Sequence, residues 1–313
     1  RLIVIVPTPI QWGRFENSYI NLRCKLDCRN YFYINSGSIE INMTVPSNYK
    51  YLHVNEKLEN FIPEIMAPIV SNIANNETGV IVGSGTGSSR EIKRVFEASE
   101  NGIKKIGPYS VTRTMGNTTS AVISTFFQTK GISYSIASAC TTSLHCISHG
   151  CNLIKLGRQQ IVIAGGAEDF HWSGSIMFDA MGALSTKHNS NPESASRPYD
   201  LNRDGFVPSG GAGIVILEEY EAAKRRGATI YGEIVSYNET SDGYSLVAPS
   251  GDGAKRCMQG LNLDKPVDYI NTHGTSTPVG DTSELAAISE IFGSSIPPIS
   301  STKSLTGHTL GAA

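Results

Sequence analysis

The sequence predicts an α/β fold with a largely parallel or mixed sheet. Three short apolar segments have the length of buried strands and cover residues 79–82, 160–166 and 213–218. Segments with a helical or charged pattern follow at residues 90–99 and 219–226. Strands that alternate with helices along the chain are typical of α/β proteins.

The other elements continue this alternation. A first strand is expected at residues 2–6, whereas residues 11–35 have no clear period. Further helices are predicted at residues 59–73, 117–127 and 282–292, and further strands at residues 230–237 and 298–301, while residues 268–271 lead into a segment with His273. The segment GSGTGSS at residues 83–89 is expected to be a flexible loop, and its spacing does not fit a dinucleotide-binding fingerprint.

Size and composition allow one large domain or two ordinary ones, since the chain has 313 residues, 40% of them hydrophobic. The net charge of −2 favours neither a nucleic-acid partner nor a membrane surface, and no apolar run approaches the roughly 18 residues of a membrane span. The six cysteines give no disulfide framework, which suggests a reducing, cytoplasmic setting. Cys24 and Cys28 lack a second cysteine pair, which argues against zinc, and no metal or cofactor is expected.

Cys140 stands between a predicted strand and a predicted helix. Residues 133–139 alternate as in a short buried strand, and apolar residues recur at helical spacing after Cys140. A thiolate at a helix N-terminus has a lowered pKa and is a good nucleophile, and backbone N–H groups there can hold the oxyanion of an attacked thioester. This stretch alone is equally consistent with a small buried cysteine before a helix.

Several motifs together carry a more specific signal. SIASACTTS around Cys140, NTHGTSTPVGD at 271–281 and SSTKSLTGHTLGAA at 300–313 resemble the β-ketoacyl-acyl-carrier-protein synthases. FDAMGALSTK at 178–187, RPYDLNRDGFV at 197–207 and RCMQG at 256–260 are most similar to synthase I, with synthase II as the near alternative. The resemblance implies a thiolase-like layered αβαβα fold of two pseudo-repeated halves, with the C-terminal half incomplete.

The resemblance runs from about residue 79 to the end of the chain. Residues 1–60 do not resemble the family's N-terminal strand and glycine turn, and stay unassigned. Residues 61–229 are expected to form the N-terminal half with the nucleophile, and residues 230–313 the start of the C-terminal half. Because the family continues for another quarter of its length, we expect the chain to be a fragment or an incomplete product.

The resemblance also implies the catalytic residues. Cys140 is the expected nucleophile that takes the acyl chain. His273 and His308 match the family's paired histidines, whose neutral rings hold the thioester oxygen of malonyl-carrier during decarboxylation. Lys303 matches the active-site lysine and Glu284 its acidic partner, and both are expected to fix the charge and orientation of the histidines.

Substrate contacts are implied in the same way. Thr275 and Thr277 match hydroxyls that bind the pantetheine arm. The expected acyl-pocket residues are Phe178, Met115, Phe206 and, at the pocket floor, Thr86. Without the resemblance, the aromatic residues and the methionine would be read as ordinary core.

The expected partner is an acyl carrier protein, and the expected assembly is a homodimer. Carrier docking is predicted at a basic patch of Lys104 and Lys105, with Arg113 and Arg90 as further members, because acidic carriers meet cationic surfaces through steered association. From the residues alone, a solvated charged loop is equally consistent. His145 and His149 have a spacing that can chelate a metal, but a packed polar helix face fits better.

The implied reaction is a two-stage ping-pong condensation in fatty acid elongation. A histidine at position 308 favours elongation with malonyl-carrier over the partner sets of initiating synthases and thiolases. Two alternatives stay open: an inactive partner of the same fold, such as a chain-length factor, and a cysteine hydrolase.

Overall fold

The structure is a computed structural model that describes residues 2–5, 29–35, 38–44, 51–54, 78–263 and 265–313. The predicted helix at residues 59–73, together with Cys24 and Cys28, lies outside these residues. The chain divides into two compact units. The first contains Arg1–Gly174, Gly210–Ile234 and Thr309–Ala313, and the second contains Ser175–Ser209 and Val235–His308. The predicted boundaries at residues 60 and 229 stay a prediction.

A six-stranded mixed sheet organises the first unit. Its strands are β1 (Leu2–Ile5), β5 (Thr78–Gly83), β6 (Ser133–Tyr134), β7 (Ile161–Glu168), β8 (Gly211–Glu219) and β9 (Gly232–Ile234). Their spatial order is β6-β5-β7-β8-β1-β9, with β5 parallel to β6 and β7 and the other pairs antiparallel. The strands β2 (Arg29–Asn35), β3 (Ser38–Thr44) and β4 (Tyr51–Val54) form a separate antiparallel sheet.

Helices cover this sheet because its strands are apolar on both faces. Among the described residues, the helices of this part of the chain are α1 (Ser89–Ser99), α2 (Ser110–Thr114), α3 (Thr118–Phe127), α4 (Thr142–Lys155), α5 (Trp172–Ala180), which crosses the unit boundary, and α6 (Tyr220–Arg225). One buried cluster joins Val80, Val82, Ile163 and Ile214 to Ile123 of α3. A second joins the sheet to Ala223 of α6. The helix α4 packs against the sheet with much of its length buried, and the turn directly before it carries the candidate nucleophile.

The second unit contains a pair of short parallel strands, β10 (Ile270–Asn271) and β11 (Ile299–Ser300). Its helices are α7 (Asp252–Gln259), α8 (Pro278–Phe292) and α9 (Lys303–Thr306). Backbone N–H groups of Ile270 and Thr272 donate to the carbonyls of Pro298 and Ser300, both at 3.0 Å. The segments that follow the two strands, with His273 and Lys303, therefore leave the same edge of the pair.

Most predicted elements are confirmed within a few residues, but three differ. The strand before Cys140 is only Ser133–Tyr134 and is not buried. It lies at the sheet edge, and beyond it the hydroxyl of Ser135 donates to the carbonyl of Val82 at 2.6 Å. The strand predicted at 230–237 shortens to Gly232–Ile234, and α8 begins at Pro278 rather than Thr282, since proline fits the first helical turn.

The helices of the described residues are short relative to a bilayer. The longest of those above, α8, has 15 residues, whereas a membrane span takes about 20. Within the described ranges, none of the helices combines the length and apolarity that crossing a membrane requires.

Candidate active site

Cys140 lies in a tight 3-10 turn, Ala139–Thr141, directly before α4. Ala139 has φ of 52°, a left-handed backbone conformation that is strained for a residue with a side chain. The hydroxyl of Thr142 holds the turn, because it donates to the carbonyl of Ala139 at 2.8 Å and accepts from the N–H of Ser138 at 2.9 Å. The structure thus places the half-buried thiol of Cys140 at a helix start, as the sequence pattern predicts.

The turn uses its own amides for local hydrogen bonds. The N–H of Thr141 donates to Ser138 at 3.2 Å, and that of Thr142 donates to Ala139. These two amides are therefore engaged in the turn and do not serve as oxyanion donors in this structure. The expected oxyanion role of the turn's N–H groups stays a prediction.

The other described cysteines differ from Cys140 in environment. Cys146 and Cys151 are fully buried on α4, and burial raises the pKa of each thiol to about 11. Burial also raises the pKa of Cys257, whose sulfur lies 3.2 Å from the carbonyl of Asn238. Such thiols are protonated and weakly nucleophilic at neutral pH.

In the second unit, His273 and His308 form an imidazole pair. Their rings lie edge to face, with centroids 5.2 Å apart and an interplanar angle of 83°. His308 is buried, whereas His273 is exposed at its surface even though many protein atoms lie around it. Desolvation, and then the charge of Lys303, lowers the pKa of His273 to about 4. Burial, His273 and Lys303 together lower the pKa of His308 well below its usual value, so both rings are neutral at neutral pH.

The backbone holds His308 on both sides. Its N–H donates to the carbonyl of Val207 at 2.7 Å, and its carbonyl accepts from the N–H of Ser209 at 3.0 Å. The ring of Phe206 lies edge to face with the His308 ring, with centroids 5.2 Å apart. The position of His308 is thus set by residues 206–209, which belong to the same unit.

Glu284 holds the loop that carries His273. Its carboxylate accepts from the N–H groups of His273 at 2.7 Å and Gly274 at 2.8 Å, and from the hydroxyl of Tyr199 at 3.2 Å. The predicted partner of Glu284, Lys303, is buried at the start of α9. Glu284 therefore positions a histidine through the backbone, and its pairing with Lys303 stays a prediction.

A second layer of charged residues behind this loop was not predicted from the sequence. Asp281 is fully buried and accepts from the N–H of Tyr199 at 2.9 Å and that of Thr277 at 3.3 Å. The guanidinium of Arg203 lies 3.3 Å from the same carboxylate. Asp281 and Arg203 stand inside motifs that carried the resemblance, but their roles depend on contacts between segments about 80 residues apart, which spacing does not reveal.

The predicted substrate residues fall in both units. In the second unit, Phe178 contacts Phe206 with ring centroids 5.3 Å apart, and the hydroxyls of Thr275 and Thr277 are 3.0 Å apart. In the first unit, Met115 is half-buried at the end of α2. The hydroxyl of exposed Thr86 donates to Glu168 at 2.6 Å. Substrate contact by these six residues stays a prediction.

The predicted docking residues also differ among themselves. Lys104 and Lys105 are exposed in the 3-10 turn Ile103–Lys105. Arg113 lies 3.8 Å from Glu91, and Arg90 lies 3.3 Å from Asp169. The two lysines therefore present the less neutralised charge of the four.

The glycine-rich segment after β5, predicted to be a flexible loop, is a loop in the structure and is tied to the end of β7 by hydrogen bonds. Glu168, at the end of β7, accepts hydrogen bonds from Ser84, Gly85 and Thr86. This glutamate was not identified from the sequence, because an acidic residue at the end of an apolar strand has many possible roles.

Family comparison covers both parts of the chain. The model described as the N-terminal domain of β-ketoacyl synthase matches residues 68–223, and the one described as its C-terminal domain matches residues 231–313.

Curated relatives carry a consistent name. The 3-oxoacyl-[acyl-carrier-protein] synthase 1 of Haemophilus influenzae is 52% identical over 269 residues, which cover 85% of this chain and 65% of the relative. The protein of that name from Escherichia coli is 55% identical over 245 residues, which cover 76% of this chain and 60% of the relative. The chain thus spans less than two thirds of the length of these relatives.

Solved structures agree with this. A β-ketoacyl synthase from Burkholderia phymatum has a TM-score of 0.69 at 37% identity, covering 76% of this chain and 59% of that one. A type II polyketide-synthase acyl-carrier protein in complex with its ketosynthase has a TM-score of 0.72 at 30% identity, covering 76% and 62%. The predicted thiolase-like α/β fold is therefore confirmed, and the chain belongs to the β-ketoacyl synthase family.

Proposed function

We propose that the protein is a 3-oxoacyl-[acyl-carrier-protein] synthase, an acyltransferase that elongates an acyl chain by decarboxylative Claisen condensation with malonyl-carrier. The observation that carries the proposal is the neutral, edge-to-face pair of His273 and His308. The names of the relatives from Haemophilus influenzae and Escherichia coli support the reaction class.

The first half-reaction loads the acyl chain. The thiolate of Cys140 attacks the carbonyl carbon of the acyl thioester and forms a new sulfur–carbon bond. The bond from that carbon to the carrier's sulfur breaks, and the carrier thiolate leaves and takes up a proton. The position of Cys140 at the start of α4 supports this role, because a helix N-terminus stabilises a thiolate.

The second half-reaction forms the carbon–carbon bond. The malonyl group loses carbon dioxide, and the electron pair of the broken bond moves into an enolate whose oxygen accepts from the N–H groups of His273 and His308. The enolate carbon then attacks the acyl carbonyl on Cys140. The tetrahedral intermediate collapses to the 3-oxoacyl thioester and releases the Cys140 thiolate. Donors that are already in place stabilise such charge without reorganisation.

Lys303 reinforces the neutral state that desolvation imposes on the two histidines. A buried cation disfavours protonation of nearby imidazoles, because like charges repel in a poorly solvated site. Each neutral imidazole offers an N–H donor without a positive charge. The enolate oxygen is therefore held by hydrogen bonds and does not form a tight ion pair with the rings. Lys303 therefore acts on the histidines and not directly on the acyl chain.

The proposal needs Cys140 and the histidine pair to act on one substrate. Chain connectivity supports this. His308 is joined directly to Thr309, and the following turn, Leu310–Ala312, packs against the Ala139–Thr141 turn within the first unit. The residue that holds the enolate is thus only two positions from the segment that contacts the nucleophile's turn.

We also propose an acyl carrier protein as partner, docking at Lys104 and Lys105, and a homodimer in the cytoplasm. The solved complex of a carrier protein with its ketosynthase supports the partner class. The two exposed lysines support the docking place, since they offer cations to an acidic carrier.

One assay separates the candidate functions. Purified protein is given acyl-carrier, with and without malonyl-carrier, and products are resolved by mass spectrometry. Condensation yields a 3-oxoacyl-carrier two carbons longer. Free acid without extender would indicate a cysteine hydrolase, and no reaction would indicate an inactive partner. A ketosynthase/chain length factor is among the similar structures, at a TM-score of 0.73, 27% identity and coverage of 80% of this chain and 62% of that one. The presence of Cys140, His273 and His308 favours catalysis.

A further inference from the structure

Glu168 is a buried carboxylate at the end of β7 that the reaction scheme above does not use. It is 3% exposed. One oxygen accepts from the hydroxyl of Ser84 at 2.9 Å and from the N–H and hydroxyl of Thr86 at 3.1 and 2.6 Å. The other accepts from the N–H groups of Gly85 at 2.8 Å and Gly311 at 2.9 Å. Both oxygens are thus saturated by donors from two different segments.

These two segments meet beside the residue that precedes the nucleophile. A Cβ placed on Gly85 would lie 2.8 Å from the carbonyl oxygen of Ala139 and 3.1 Å from both the N–H nitrogen of Gly311 and Glu168. A Cβ on Gly311 would lie only 2.3 Å from the nitrogen of Gly85. The backbones of residues 85, 139 and 311 therefore approach too closely to admit side chains at either glycine, and Glu168 holds the outer two together.

Ala139 is the strained member of this group. Its φ of 52° is in the left-handed region, which residues with a Cβ occupy only when their surroundings impose it. The surroundings are the Gly85 segment and the Leu310–Ala312 turn, which packs against Ala139–Thr141. If these two segments separated, the Thr142 hydroxyl would still bond to the carbonyl of Ala139, but the steric confinement of that residue would be lost. Ala139 would then relax, and the direction of the Cys140 side chain would change with it.

We propose that Glu168 is a positioning residue for the nucleophile: by tying Gly85 to Gly311, its carboxylate imposes the left-handed conformation of Ala139 that presents Cys140. The inference rests on the proposed role of Cys140. All five partners of Glu168 donate hydrogen bonds, and a carboxylate suits the task because it only accepts. A glutamine would place its NH₂ group, itself a donor, opposite some of these donors.

The experiment compares Glu168→Gln with a matched control, Glu218→Gln. Glu218 is also a buried glutamate on the same sheet, but its carboxylate pairs with Arg226 at 2.6 Å. Each protein is treated with iodoacetamide, and the rate of labelling at Cys140 is measured by mass spectrometry between pH 6 and 9. Glu168→Gln should slow labelling of Cys140 about 5- to 30-fold, the population change that corresponds to releasing one left-handed residue. Glu218→Gln should leave the rate unchanged.

A second substitution separates positioning from general loss of structure. Glycine has no penalty at positive φ, so Ala139→Gly removes the strain that Glu168 is proposed to hold. In the Glu168→Gln background, Ala139→Gly should recover at least half of the lost rate on a logarithmic scale. In the parent background it should change the rate less than threefold. A merely structural defect would not be rescued, because glycine adds conformational freedom.

The outcomes are distinguishable. If Cys140 in the parent protein reacts no faster than Cys146 and Cys151, the proposed nucleophile is wrong. If Cys140 is the fast thiol but Glu168→Gln matches the parent, or if Ala139→Gly fails to rescue a slowed variant, only the role of Glu168 is overturned. Equal slowing by Glu218→Gln with the same drop in thermal midpoint would likewise overturn it.

Discussion

The carboxylate of Glu284 holds the backbone of His273, accepting its N–H at 2.7 Å while the other oxygen accepts from Gly274 at 2.8 Å. Both hydrogen bonds come from main-chain N–H groups, so they fix the backbone from which the His273 side chain extends. Glu284, which was expected to help fix the charge of the histidines, thus also sets the position of the His273 backbone. The consequence is testable, because the carboxylate can be changed without touching the imidazole.

Glu284→Gln should lower the rate of malonyl-carrier decarboxylation while acyl loading of Cys140 continues. Glutamine keeps one acceptor oxygen and loses a charge-assisted hydrogen bond, which is worth about 1.5–3 kcal/mol. A decrease of about tenfold or more in carbon dioxide release is expected. Glu290→Gln on the same helix is the control, since Glu290 pairs with Lys255 at the surface. Equal losses in both half-reactions would contradict a role confined to His273.

Substitutions of the nucleophile and of the histidines should separate the two half-reactions. Cys140→Ala should abolish acyl loading yet leave slow decarboxylation, because both imidazoles remain. His308→Ala should still allow some loading but lower decarboxylation by about 10²- to 10³-fold, the usual loss for one preorganised donor. Radiolabelled acyl transfer and carbon dioxide release are measured for each, with exposed His149→Ala as control. Decarboxylation at the parent rate in His308→Ala would show that His308 is not a donor.

The acid limit of decarboxylation should lie well below the ordinary histidine pKa of 6.5. Desolvation and Lys303 lower the pKa of His273 to about 4, so the ring stays neutral as pH falls through 6. Lys303→Met removes the nearby positive charge, so the histidine pKa values should rise and the acid limb should move to higher pH. Lys303→Arg keeps the charge and should leave the limb in place. A Lys303→Met profile that falls at the same pH as the parent would refute this electrostatic role.

Lys104→Glu should slow association with the carrier protein. A surface charge near a docking site acts mainly on the rate of encounter, and its effect is screened as ionic strength rises. The rate constant should fall several-fold at low salt, and the difference should shrink at about 0.15 M salt, where the Debye length is about 8 Å. Lys224→Glu, on α6, is the matched control. The association rate constants are measured by surface plasmon resonance at two salt concentrations. Identical association rate constants for Lys104→Glu and the parent would exclude Lys104 from the docking surface.

The sequence predicted best the elements that hydrophobic pattern alone determines. The continuous apolar runs of β5 and β7 identify strands covered on both faces, and both are confirmed as buried. The short strand before Cys140 was overextended, because alternation of small and apolar residues continued after pairing with β5 had ended. A hydrophobic pattern indicates which residues tolerate burial, but it does not indicate where a neighbouring strand ends.

Cys140, His273, His308 and Lys303 could be singled out as candidates because each stands in a motif that resembles the family, and their chemical roles stay predictions. The residues that position these side chains were harder to predict from the sequence. Glu168 acts through segments 82–84 and 143 residues away in sequence. Contacts of that separation depend on the completed sheet, so no local spacing indicates them.

The first unit is assembled from three stretches of chain, and the last of them, Thr309–Ala313, carries the amide of Gly311 that Glu168 accepts. Ribosomes add about 5–20 residues per second, so the 143 residues between the two partners take roughly 7–30 seconds to synthesise. Throughout that interval the Glu168 carboxylate lacks the N–H donor of Gly311. The Ala139–Thr141 turn likewise lacks the Leu310–Ala312 segment that packs against it. Because the chain is made from its N-terminus, the surroundings of the Cys140 thiol are completed only after the stretch that bears both histidines has been made.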